Sequence, residues 1–244
     1  MAAHFGNGGT RHLITLSPRL AAAAAYICSG APLADIGTDH AYLPAYLIQT
    51  GIIPRAIAAD ILPGPLEAAR ATVAAAGLVD LIDLRLGNGL SVLQPGEVNS
   101  ASICGMGGPL IADILAAGPL AGIERLVLQP MGGEESLRRW LESNGWRLLD
   151  EQLVEDAGRI YVVLAAEPGS MALTPEEAFI GPHLRRKGGP LLARYAAILA
   201  AQNERALEGA SRSERPEARE RTRELRERIA LLKEVIAHAG ADHR

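Results

Sequence analysis

With only two cysteines in 244 residues, Cys28 and Cys104, the chain has no disulfide framework and no cysteine-rich metal site. Its six histidines, at 4, 12, 40, 183, 238 and 243, show no ligand spacing of the zinc type. The N-terminus lacks a basic region followed by a long apolar core, and the apolar run at 21–27 is too short to span a bilayer. A reducing cytoplasm is the expected compartment. Nor is there an excess of positive charge: a net charge of −4 gives no global sign of a nucleic-acid binder. The average hides an asymmetry. Residues 174–244 carry 14 basic against 11 acidic side chains, while residues 1–173 carry 10 against 17. A weakly basic end on an acidic body suits either a polyanion contact or a solvated pair of helices.

What is present is apolar material, 48% of the chain, enough for one sizeable core and a smaller appendage. Residues 1–12 are polar and glycine-rich and are expected to be a flexible N-terminus. Ser17 followed by Pro18 marks a helix start, with the proline where its missing N–H costs nothing. Short apolar runs then recur at 33–36, 55–59, 81–86, 101–104 and 125–129, with helical segments between them at 42–50, 64–76, 109–117 and 134–144. That alternation predicts a parallel sheet covered on both faces. After Gly145 two strand-like runs flank Ala157 and Gly158, predicting an antiparallel hairpin at the sheet edge. Trp140 and Trp146 are expected core anchors. Beyond Thr174 the pattern becomes helical. Leu225, Ile229, Leu232 and Ile236 lie at helical intervals, and "GASRSERPE" breaks the chain before them, so an antiparallel helical hairpin is expected.

The strand ends carry the chemistry. "LADIGTDHAYLP", residues 33–44, is a strand running into Gly37, Thr38, Asp39 and His40 before a helix-like segment. In open parallel sheets ligands bind at the carboxyl ends of the strands. A dinucleotide site would want several glycines there. This loop has one glycine and the carboxylates Asp35 and Asp39, which repel phosphate and suit a cationic ligand such as S-adenosylmethionine. The second strand ends in Asp60 and Ile61, an acid placed to bind the two hydroxyls of an adenosine ribose. Asn88, between Gly87 and Gly89, ends the third and can hydrogen-bond an adenine edge. The fourth runs through Cys104, Gly105, Met106 and Gly107, a loop with little side chain to exclude a reactive centre. Taken in order, these predict a Rossmann-like class I methyltransferase. Each has a plainer structural use as well: Asp39 as N-cap of the helix beginning near Ala41, His40 as a loop hydrogen-bonder, Asp60 as a cap, Cys104 as a small buried side chain.

With "LSPRL", "ADIGTDHAYLP", "AADILPGPLEAA", "LRLGNGL", "ICGMGGPLI", "LVLQPMGGEESLRRWLESNGW", "GRIYVVLAAE" and "FIGPHL", the chain resembles the bacterial tRNA adenine N1-methyltransferases that modify adenine 22 of the D-arm, from about residue 16 onward. The resemblance implies S-adenosylmethionine bound by Asp35, Ile36, Gly37, Thr38, His40, Asp60, Ile61, Gly87, Asn88, Gly89, Cys104, Gly105, Met106 and Gly107. It implies a methyltransferase domain over 13–170 and a C-terminal coiled-coil hairpin over 171–244 that helps to hold tRNA. Two positions depart from the family pattern: Asn88 stands where Asp is usual, and Met131 where Asn is common.

Adenine N1 carries an in-plane lone pair and needs no deprotonation before it attacks a methyl group, so alignment is the main task. Asp39 is the candidate to stabilise developing charge, Tyr42 to stack on the base, and backbone carbonyls at 105–107 or Gln129 to grip N6. Arg19, Arg185, Arg186, Lys187 and Arg194 are candidate phosphate contacts, with a solvated helix face as the plain alternative for the last four. No metal is expected, and the protein is expected to be a monomer or weak dimer. Other acceptors, a different RNA or a small molecule, share the same strand-end signals. A dehydrogenase and a non-catalytic tRNA scaffold are the readings from other classes.

Overall fold

The computed structural model describes residues 13–211 and 215–239; the expected flexible N-terminus, with His4 and His12, and His243 lie outside them. The first helix, α1 (Pro18–Ala24), starts as its sequence dictates, with Ser17 Oγ accepting the Leu20 N–H at 3.4 Å. Next come β1 (Leu33–Ile36), α2 (Tyr42–Gln49), β2 (Ala56–Asp60), α3 (Pro63–Ala76) and β3 (Ile82–Leu86). A short 3₁₀ turn (Gly89–Val92) leads into β4 (Ser100–Met106), α4 (Gly108–Ala117), β5 (Arg125–Pro130) and α5 (Glu134–Ser143). The hairpin β6 (Trp146–Asp156) and β7 (Arg159–Pro168) turns through Ala157 and Gly158, both in the left-handed region that a tight hairpin turn requires.

The seven strands form one sheet in the order β3-β2-β1-β4-β5-β7-β6. The first five are parallel, and β7 inserts antiparallel between β5 and β6. The chain reverses direction across the sheet between β1 and β4, which opens a crevice at their carboxyl ends. Strands β1, β4 and β5 are buried over most of their length because helices cover both faces, which is why they read as continuous apolar runs.

Two short helices missing from the sequence reading, α6 (Pro175–Ile180) and α7 (Pro182–Lys187), link the sheet to the long pair α8 (Pro190–Ala210) and α9 (Pro216–Ala239). The expected breaker between the long helices lies partly outside the described residues. Leu225, Ile229, Leu232, Val235 and Ala239 are the buried residues of α9; Ile236, expected on the seam, is only partly buried. Leu192, Tyr195, Ala196, Leu232 and Val235 join the same apolar cluster as the sheet residues Ile103, Leu128 and Val162, so the base of the hairpin is continuous with the core. Trp146 is buried in that cluster and Trp140 packs against it. Among the described residues no helix is long and apolar enough to cross a membrane.

Candidate functional site

The site is built from the end of β1 outward. Asp35 is 6% exposed, and both of its carboxylate oxygens are engaged: Ser102 Oγ donates to Oδ1 at 2.7 Å and Thr38 Oγ1 to Oδ2 at 2.7 Å. Burial raises its pKa, against the pull of the two hydroxyls. Asp35 therefore shapes the loop and contributes its field from below, and Ile36 is core. The N–H groups of Gly37 and Thr38 both donate to the Ala59 carbonyl, at 2.8 and 3.0 Å, folding the loop against β2. Gly37 has φ +73°, and a Cβ there would lie 2.1 Å from Met106 Cε. The backbone conformation therefore calls for glycine, and any larger residue would also push the flexible end of the Met106 side chain aside.

Asp39 and Ala41 then adopt φ of 50° and 54°, rare for residues with a Cβ. Asp39 does not cap the helix as expected: the N-cap is Ala41, with no side-chain hydrogen bond. The Asp39 side chain is instead 72% exposed, with His40 Nε2 3.8 Å from its Oδ1. The His40 ring stacks on Tyr42 at 5.1 Å between centroids and 8° between planes. Two strained residues on either side of His40 thus present a carboxylate and an aromatic pair to solvent at the strand end.

At the end of β2, Asp60 Oδ1 accepts the Leu62 N–H at 2.8 Å, a local turn rather than a cap, since the N-cap of α3 is Leu62. Ile61 is 60% exposed beside it. The Gly87 N–H donates to the Asp60 carbonyl at 3.0 Å, which sets the third strand end next to the second. Asn88 is the N-cap of the 3₁₀ turn, yet its side chain makes no capping bond, leaving the carboxamide to other use. Gly89 is held close, as a Cβ would meet Ile114 Cγ2 at 2.9 Å.

At the end of β4 the register with β5 shifts between Cys104 and Met106, a bulge centred on Gly105 at φ +80°. Gln129, fully buried on β5, secures it: its Oε1 accepts the Gly105 N–H at 3.1 Å and Arg19 Nη1 at 2.6 Å. Gln129 Nε2 donates to the Pro130 carbonyl at 2.7 Å. Its carbonyl oxygen is therefore already engaged by two donors. Burial pushes the Cys104 thiol up to about 12, so it stays protonated and serves as packing. Gly107 is the N-cap of α4.

Arg19, half-buried, is tied to the ends of β4 and β5 through Gln129. Its guanidinium lies 5.7 Å from the Tyr161 ring centroid, and its backbone N–H donates to Asp156 Oδ2 at 3.4 Å. Ser102, Asp156 and Tyr161 are the residues sequence reasoning missed. Ser102 had a signal, since a hydroxyl in an otherwise apolar central strand demands a partner. Asp156 and Tyr161 had none, because the hairpin's place in the sheet brings them there.

The C-terminal basic residues lie elsewhere and are mostly engaged. Both terminal nitrogens of Arg194 reach Glu155, at 2.7 and 2.8 Å, and Lys187 Nζ reaches Asp150 Oδ2 at 2.7 Å. Arg186 Nη2 is 2.7 Å from His183 Nδ1. Arg185 lines a cleft with Glu176, Glu227 and Glu234. Among the described residues no group of three or more His, Cys, Asp or Glu side chains gathers as a metal site.

Comparison with known proteins places this arrangement. A family model described as tRNA (adenine(22)-N(1))-methyltransferase matches residues 33–234. The curated enzyme of that description from Bacillus subtilis (strain 168) is 38% identical over 234 residues, 92% of this chain and 98% of its own length. A crystal structure of the Bacillus subtilis enzyme superposes with a TM-score of 0.84 at 36% identity, over 91% of this chain and 99% of that one. The M. capricolum enzyme, solved with S-adenosyl-homocysteine, gives a TM-score of 0.78 at 27% identity over 93% of this chain and 99% of that one.

Proposed function

The chain belongs to the tRNA (adenine(22)-N(1))-methyltransferase family, and on that premise we infer that it transfers the methyl group of S-adenosylmethionine to N1 of adenine 22 in the D-arm of tRNA, acting in the cytoplasm. The observation that carries the reading is the convergence of four strand ends on one crevice, every one of them inside the matched span.

The residues fit such a ligand. Gly37 and Gly105 leave backbone without side chain at two of the strand ends, and a cationic ligand above the buried Asp35 would favour its ionised form. Asp60 keeps one carboxylate oxygen beyond its bond to Leu62 for ribose hydroxyls, and the Asn88 carboxamide can read an adenine edge. Ile61 offers an exposed apolar face for the purine. When bound, S-adenosylmethionine supplies an electrophilic methyl group on a cationic sulfur.

The chain's own residues supply position and field. Tyr42, already stacked on His40, can extend that stack to the target base. Backbone carbonyls at 105–107 accept from N6, which leaves the N1 lone pair pointed at the methyl group. Holding the reacting atoms in line can supply about 7–11 kcal/mol of the barrier reduction. No base is needed to start the reaction, and Asp39 at the mouth of the site balances the positive charge of the methylated product. A paired adenine hides N1, so the base leaves its helix to react.

The test incubates the protein with labelled S-adenosylmethionine and an unmodified tRNA transcript, followed by digestion to nucleosides. Label in 1-methyladenosine, lost when adenine 22 is replaced by guanine, is the expected result. Cofactor binding without label in tRNA would move the search to another RNA or a small acceptor.

A further inference from the structure

Beside the reaction centre lies a second cleft, of about 320 Å³, between the β5 end, the tip of the β6–β7 hairpin and α8. Its lining includes Met131, Glu134, Arg159, Tyr161, Tyr195 and Ile198, and none of the loop residues 35–42 or 104–107. The cleft is tied to the reaction centre all the same: the Met131 N–H donates to the Met106 carbonyl at 2.8 Å, and the Tyr161 ring that lines it also carries Arg19.

We propose that this cleft is a subsite for the nucleotide flanking the target adenine, and that it takes one unpaired nucleobase. Three observations support it. Its volume lies near the lower end of small-ligand pockets, the size of one base with part of its sugar. Met131 and Ile198 stand 46% and 45% exposed, and the partly exposed Tyr161 and the edge of the buried Tyr195 complete an apolar and aromatic lining. The charged side chains that line it, Glu134 and Arg159, are of opposite sign, so the cleft is near neutral and suits a base better than a phosphate.

Topology sets the distance. With strands about 4.8 Å apart, β7 lies roughly 10 Å along the sheet from β4. That is too far for the base whose N1 meets the methyl group and within reach of its neighbour. Extruding an adenine strips that neighbour of a stacking partner, and an aromatic cleft restores one. Met131 is part of this lining, which gives the departure from the family's usual residue a use: a polarizable apolar contact for a base.

The proposal rests on the reaction inferred above, and the experiment separates the two. Ile198→Asp puts a charge in the cleft without touching the strand ends, and Ile198→Gln puts a neutral polar group of similar size there. Each is assayed for methyl transfer on intact transcript and on transcripts abasic on the 5′ or the 3′ side of the target. Binding of fluorescently labelled transcript is followed by anisotropy without cofactor. Ile198→Asp is expected to lower kcat/KM about tenfold through KM for tRNA and to weaken transcript binding similarly, with affinity for S-adenosylmethionine unchanged. On one of the two abasic substrates the same substitution should cost nothing further, because the base it opposes is gone. Effects that add on both abasic substrates, or full activity in both variants, would overturn the subsite alone. Failure of the unaltered protein to methylate the intact transcript would overturn the reaction and the subsite together.

Discussion

Arg19 Nη1 donates to Gln129 Oε1 at 2.6 Å, so the first helix of the chain is locked to the fifth strand at the point where the Gly105 N–H also bonds. One amide oxygen thereby sets the position of a cation and of the bulge that faces the reaction centre. Arg19→Ala is expected to lower kcat about a hundredfold by loosening this geometry, with cofactor affinity retained. Arg19→Lys should recover little, because an ammonium lacks the planar fork that spans Gln129 and Tyr161. The check is the split between kcat and KM. A rise in KM for tRNA at unchanged kcat would mean that Arg19 only holds phosphate.

Gly37 and Met106 form a second coupled pair. An alanine at 37 meets Met106 Cε at 2.1 Å and must also hold φ +73°, which costs a residue with a Cβ about 1–2 kcal/mol. Gly37→Ala should abolish cofactor binding measured by calorimetry and lower the melting temperature. Adding Met106→Ala relieves the clash and not the dihedral, so stability should return only in part. Full recovery would show that the backbone conformation is not the constraint.

Asp35 gives the site a pH signature. Burial raises its native pKa above the ordinary 3.8, although Ser102 and Thr38 donate to it. A raised native value means that the folded state holds the proton more tightly. Its contribution to stability is then full below about 3.8 and is lost as pH rises through the native value. Asp35→Asn cannot ionise and escapes that loss. Urea midpoints for the variant and the parent should therefore shift in the variant's favour as pH rises above about 3.8. A difference independent of pH would mean an ordinary aspartate. Methyl transfer should fall in the variant at pH values where the parent's Asp35 is ionised, since the field under the crevice is then gone.

These residues also mark how far the sequence could be read. The central parallel strands were legible because strands buried on both faces are continuous apolar runs, and two polar candidates were legible because each sits at a strand end: Asp60 closes β2 and Asn88 follows β3. The place of β7 between β5 and β6 was not, since a hairpin's composition does not say which of its strands meets the sheet. Tyr161 and Asp156 were lost with it. Helices α6 and α7, six residues each and sharing Gly181, are too short to show a period. In α9 the buried line runs through Val235 and Ala239, because a helix of 3.6 residues per turn drifts off a strict 4-3-4 spacing. Counting charges left Lys187 and Arg194 as either phosphate contacts or a solvated helix face, and could not show that Asp150 and Glu155, distant in sequence, pair with them.

Arg138 and Glu151 show what joins the catalytic sheet to the helical arm. Both side chains are fully buried, with Nε to Oε1 at 2.7 Å. The guanidinium also donates to the carbonyls of Ala178, Phe179 and Ile180 at 2.9, 3.2 and 3.3 Å, the last turn of α6, whose oxygens would otherwise have no helical partner. Glu151 Oε2 accepts the His183 N–H at 3.2 Å at the start of α7. Gly181, between those helices, has no room for a Cβ, which would lie 2.8 Å from Arg138 Nη2. Arg138→Met should cost about 3–5 kcal/mol, because it leaves a buried carboxylate unpaired along with three carbonyls. The double variant Arg138→Met/Glu151→Leu should recover part of that loss by removing the stranded charge, and not all, since the carbonyls stay orphaned. Chemical denaturation measures both. A double variant no more stable than Arg138→Met alone would show that the carbonyl bonds, and not the ion pair, hold the arm. In either variant that still folds, tRNA affinity should fall further than affinity for S-adenosylmethionine, since the ligand crevice is formed by other strands and only the arm is released.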